Sequence, residues 1–135
     1  MKYILPLVLL LIFPSGHAES FTLTFDSKCS STGQKLKFQC ISEPAAWAQN
    51  LNILAENGKW FGEEETDKKR FPLSLIKEDE QIKIFDYPVL YSGIATIVLI
   101  KKTKRFYFSE TSYSEALDIQ DITVEAGRFI VRNNQ

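Results

Sequence analysis

The run Gly93-Ile94-Ala95-Thr96-Ile97-Val98-Leu99-Ile100, then Lys101-Lys102-Thr103-Lys104 and Arg105-Phe106-Tyr107-Phe108, decides the fold class. Apolar residues rich in β-branched types, bounded by a glycine and paired lysines, predict a central strand buried on both faces. The polar tetrad predicts a turn, and Arg105–Phe108 a returning strand. A membrane-spanning strand would fit the run alone, but the other strands lack a lipid-facing girdle.

Working outward, period two persists. Phe21, Leu23 and Phe25 alternate with Thr22, Thr24 and Asp26, and Leu36, Phe38 and Cys40 with Lys35, Lys37 and Gln39. Ser27–Gln34, polar and holding Gly33, reads as the loop between these two strands. Ser42, Glu43 and Pro44 suit a helix start and predict a turn or two over Ser42–Gln49. Leu51–Ala55 and Lys59–Glu64 flank Asn57-Gly58, the pair that a type I′ hairpin turn favours. Thr66–Arg70 is a charged connector, and Leu73–Ile76 with Gln81–Phe85 makes another hairpin. Ser109–Ser114 reads as a polar loop; Leu117–Val124 and Arg128–Arg132 form a last pair, turned at Glu125-Ala126-Gly127. The prediction is an all-β single domain over residues 19–135. It is an antiparallel up-and-down barrel or strongly curled meander of about eight to ten short strands, with at most one or two short helices.

Residues 1–18 read as a cleaved secretory signal: Lys2, an apolar run from Tyr3 to Phe13, a break at Pro14-Ser15, and small residues at Gly16 and Ala18. The run is shorter than the about 20 residues a spanning helix needs, so no transmembrane anchor is expected. A periplasmic or secreted location follows. In such an oxidising compartment Cys29 and Cys40, the two cysteines of the chain, are expected to form a structural disulfide.

The chain carries 16 basic and 17 acidic residues, which argues against a nucleic-acid partner. Its one histidine, His17, lies in the leader. That excludes Ser-His-Asp and Cys-His catalysis and histidine-ligated metal sites from the secreted chain, and neither a metal nor another cofactor is expected. No phosphate-binding glycine loop or acidic calcium loop occurs. Glu63-Glu64-Glu65 reads as a solvated face. Lys68-Lys69-Arg70 is a loop cluster, and Lys101, Lys102, Lys104 and Arg105 read as gatekeepers of an apolar strand; contact with an anionic glycan, lipopolysaccharide or peptidoglycan is the other reading. Trp47, Trp60, Tyr87, Tyr91 and Tyr113 fall at element ends or in loops and are the candidate ligand or partner contacts.

Ile100-Lys101-Lys102-Thr103-Lys104-Arg105-Phe106 and the closing Gly127-Arg128-Phe129 resemble the end of a group of small secreted proteobacterial β-proteins, whose members read aliphatic-x-Arg-x-Thr-Gly-x-Phe. The resemblance covers the last third of the chain, and departs at Lys102 for the usual Arg and at Lys104 for the turn Gly. The architecture is similar to that of lipocalin-like barrels, without their Gly-x-Trp opening motif. The resemblance implies a fold and no site.

Two functions fit these residues. One is a non-catalytic binding protein, for a partner protein or a small amphipathic ligand, as a monomer or an edge-paired dimer. A hydrolase inhibitor is its narrower form, although Tyr91-Ser92-Gly93 departs in order from the Ser-Gly-x-x-Tyr loop of periplasmic lysozyme inhibitors. The other is a carboxylate-dependent hydrolase of cell-wall sugars. Two carboxylates converging in one cleft, one of them desolvated, would mark that second reading.

Overall fold

A computed structural model describes residues 19–33, 37–42, 50–89 and 92–133. These form nine antiparallel strands and no helix: β1 (Glu19–Thr32), β2 (Gln39–Ile41), β3 (Leu51–Glu56), β4 (Lys59–Glu64), β5 (Arg70–Glu78), β6 (Ile82–Val89), β7 (Gly93–Ile100), β8 (Arg105–Ser114) and β9 (Ile119–Asn133). From β3 onward each strand pairs with the next, and β9 pairs along the length of β1. β1 pairs with β3 through Phe21–Leu23, so eight strands close into an up-and-down barrel. The C-terminal half of the same β1 edge carries β2, the one strand outside the barrel among the described residues.

Inward residues stack in layers, because directly opposed residues of antiparallel strands share a face. Lys83, Leu99, Phe106, Gly127 and Phe25 make one layer; Phe85, Ile97, Phe108, Glu125 and Lys28 the next; Tyr87, Ala95, Glu110, Thr123 and Ser30 the third. The apolar core takes Phe25, Leu99 and Phe106 from the first layer and Phe85, Ile97 and Phe108 from the second, with Phe21, Leu23, Ile53, Leu73 and Phe129 beside them. Lys83 is the one charged side chain of the first layer; Glu125 and Lys28 enter the second, and polar residues dominate the third.

The Asn57-Gly58 turn forms as its sequence predicts, both residues having positive φ (51° and 74°). Other expectations are corrected. The Ile94–Ile100 run is not buried on both faces: Ala95, Ile97 and Leu99 point inward at 0% exposure, whereas Ile94 is 50% exposed. A closed barrel has one covered face, so the alternate residues meet solvent. Ser27–Thr32 is strand, not loop, since β1 continues beside the long β9 after a register shift between Phe25 and Ser27. The strand read over Leu36–Cys40 is the three-residue β2, and Phe38 is 47% exposed outside it. Ser109–Ser114 likewise continues β8, and the turn read at Glu125-Ala126-Gly127 lies inside the unbroken β9. Gly127 is there for space: a Cβ would meet the Thr24 carbonyl oxygen, the Phe106 ring and, at 2.9 Å, the Phe25 Cα. The helix over Ser42–Gln49 falls, after Ser42, outside the described residues, as does the leader.

Candidate functional site at the barrel mouth

The two ends of the barrel differ. At one end Trp60 and Lys83 close the interior. Lys83, 3% exposed, places its ammonium 4.1 Å from the Trp60 ring centroid and 3.1 Å from Glu78 Oε1. Glu78 also takes Lys101 at 3.1 Å. Trp60 packs against Phe85 and stacks on Phe21, with centroids 5.1 and 6.2 Å away.

The other end is an open cavity of about 480 Å³, within the size range of small-ligand sites. Its walls are aromatic: Phe25 and Phe108 below, and Phe71 against Tyr87 with centroids 4.5 Å apart. Gly62 provides the room for Phe71, whose ring occupies the place a Cβ there would take. Three carboxylates, Glu64, Glu110 and Glu125, line the same space with Lys28, Asn50 and Thr123.

Their positions follow from strand phase. Glu110 continues the inward series Phe106, Phe108; Glu125 continues Phe129, Gly127; Glu64 continues Trp60, Gly62. Glu125 sits one layer deeper than Glu110 and forms an ion pair with Lys28 at 3.2 Å. Burial raises its carboxyl pKa; the Lys28 ammonium opposes this and the Glu110 charge adds to it. Glu64 is also raised, by burial and then by Asp67 beside it. Burial pushes the Tyr87 phenol far up, reinforced by Glu110, Glu64 and Glu125, so it stays a neutral donor.

Among the five aromatic candidates, Tyr87 lines the cavity and Trp60 packs at the closed end. Tyr113 is exposed near the β8–β9 turn, donating to Asp118 Oδ1 at 3.1 Å. Trp47 and Tyr91 lie outside the described residues. Cys29 and Cys40 form a disulfide between directly opposed positions of β1 and β2, away from the cavity lining. Two of the three carboxylates correct the sequence expectations. Glu64, expected on a solvated face with Glu63 and Glu65, lines the cavity because it shares the inward phase of Trp60 and Gly62. Glu125, expected in a turn, faces inward from β9; Glu110 carries no sequence signal of its own. Extending each strand's inward phase past its last apolar residue would have found them, at the cost of placing carboxylates inside a barrel. Among the described residues no group of acidic, cysteine or histidine side chains could hold a metal ion, and no helix is long and apolar enough to cross a membrane.

Compared with known proteins, the chain matches no family model, no curated protein and no solved structure.

Proposed function

We propose that this is a non-catalytic periplasmic or secreted binding protein whose barrel mouth takes a small amphipathic molecule bearing an amine or guanidinium. The observation that carries this reading is the cavity lining: three glutamates against the single cation Lys28, above a floor and wall of aromatic rings. A ligand cation gains charge-assisted hydrogen bonds from the carboxylates and ring faces for its flank, while its apolar body lies on Phe25 and Phe108. The leader and the disulfide support the location.

Calorimetric titration with phenethylamine and hexylamine, against phenylethanol as the neutral match, tests this. Saturable binding of the amines is expected, weakened by about tenfold in Glu110→Gln or Glu125→Gln, as expected for a lost hydrogen bond to a charged group. Binding should also fall as acidification protonates Glu125 and Glu64. Equal binding of the alcohol, or no binding of either amine, would reject the reading.

A hydrolase of cell-wall sugars is the second reading, favoured by one observation: Glu125 is desolvated beside Glu110, as a general acid beside a second carboxylate would be. Release of reducing sugar from peptidoglycan, abolished in Glu125→Gln, would establish it in place of the first.

A further inference from the structure

The closed half of the barrel carries the opposite charge on its outer wall. Arg128, Ile130 and Arg132 alternate along the outward face of β9, all exposed, with Ile130 at 57%. Lys102 and Lys104 are exposed in the adjoining β7–β8 turn, which Phe129 N–H joins by donating to the Lys104 carbonyl at 2.9 Å. Arg128 stands directly opposite Arg105, a like-charged cross-strand pair that opposes folding. Arg105 is offset by Asp26 at 3.1 Å, and Lys101 by Glu78. No ion pair among the described residues engages Lys102, Lys104, Arg128 or Arg132. Tyr107, 48% exposed, extends the patch up β8.

We infer that this outer wall of β8, β9 and the β7–β8 turn docks onto an anionic phospholipid surface, leaving the acidic mouth at the other end of the barrel free. Charge complementarity selects a polyanion, since four cations without acidic partners stand together on a chain whose net charge is −1. Ile130 and Tyr107, set among those cations, select a lipid interface, where apolar side chains gain by entering the headgroup layer. A barrel wall is convex, which suits a flat bilayer and offers no groove to enclose a polymer.

Co-sedimentation of the oxidised protein with vesicles of phosphatidylglycerol and phosphatidylcholine in equal parts tests this, with pure phosphatidylcholine vesicles alongside. Binding to the mixed vesicles alone is expected. The doubly substituted Arg128→Glu, Arg132→Glu protein should bind at least about 25-fold more weakly, at about fivefold per lost cation. Ile130→Ser should weaken binding with all charges intact. These positions are exposed, and an unchanged circular dichroism spectrum checks that each variant folds. Absence of binding, equal binding to neutral vesicles, or full binding by the arginine variant would overturn the inference. So would dextran sulfate held as tightly as the vesicles and unaffected by Ile130→Ser, since the patch would then serve a soluble polyanion. Amine binding at the mouth is measured separately and does not depend on either result.

Discussion

The Lys83 ammonium lies 4.1 Å from the centroid of the Trp60 ring, inside the barrel, with 3% of the residue exposed. The two side chains come from β6 and β4, on either side of β5, and meet above Phe21 and Phe85. A lysine stem fills apolar volume while its head reaches Glu78 at the rim, so one residue both packs and caps. Among the described residues the far end has no such plug, and its charged lining is three carboxylates against Lys28. The barrel is thus closed by a lysine paired with glutamate at one end, open and anionic at the other.

Replacing Lys83 should separate packing from charge. Lys83→Met keeps an unbranched stem and removes the buried charge, while Glu78, at the exposed rim, keeps Lys101 as its partner, so no buried charge is left unpaired; a change within about 1 kcal/mol is expected in urea unfolding. Lys83→Ala leaves a void beneath Trp60 and should cost about 2–4 kcal/mol. Equal losses in the two variants would show that the ion pair with Glu78, and not the stem, stabilises this end.

Gly127 should be the least replaceable glycine of the barrel wall. An added methyl meets backbone at Thr24 and Phe25, which cannot yield without moving β1 against β9. At Gly62 the obstacle is the Phe71 ring, a side chain bordering an open cavity. Gly127→Ala is therefore expected to lose about 3 kcal/mol, the upper end of overpacking costs, and Gly62→Ala distinctly less. Thermal unfolding of both variants decides the order.

What could be read from the sequence was the apolar half of the barrel. Phe21, Leu23 and Phe25 in β1 and the Asn57-Gly58 turn carry local signals of period and φ that act within a few residues. The upper half was illegible because its strands are held by pairing, not by their own apolar character. Ser109–Ser114 is strand since every residue faces a β9 partner, and Ser27–Thr32 for the same reason. Glu125-Ala126-Gly127 looked like a turn because glycine there answers a close approach from β1 and a Phe106 ring, a contact distant in sequence. Glu110 and Glu125 were hidden with their strands, whereas Tyr87 was legible at an element end and Glu64 lay in a strand whose bounds were legible but whose last residue was taken as solvated.

Acid sensitivity should reside partly in Asp79. Its Oδ1 accepts the backbone N–H groups of Gln81 at 2.8 Å and Ile82 at 2.9 Å, holding the β5–β6 turn. These bonds depress its carboxyl pKa from 3.8 to about 2. A lowered folded value stabilises the native state above the unfolded pKa, and the contribution fades as pH falls from about 4 through about 2. Asp79→Asn can still accept a backbone bond but does not titrate there. Its melting temperature should lie below that of the parent at pH 6 and converge with it near pH 2. A constant gap over that range would place the acid response elsewhere.

The disulfide should anchor β2 more than it supports the barrel. Cys29 and Cys40 are opposed in the middle of a three-pair ladder, and Phe38 and Ile41 beside the bridge are 47% and 49% exposed. Little apolar burial holds β2 to β1 once the bridge is cut, whereas the β1–β9 and β7–β8 ladders run the length of their strands. Reduction should therefore cost up to about 3 kcal/mol, the chain-entropy value for a loop this short, and leave the barrel folded. Hydrogen exchange should show the amides of Gln39–Ile41 losing protection on reduction while those of Ile97 and Leu99 keep theirs. Intact mass should fall by two hydrogens relative to the reduced chain. Two alkylatable thiols in freshly isolated, unreduced protein would refute the bridge, and collapse of the Ile97 and Leu99 protection would show that β2 is integral to the barrel.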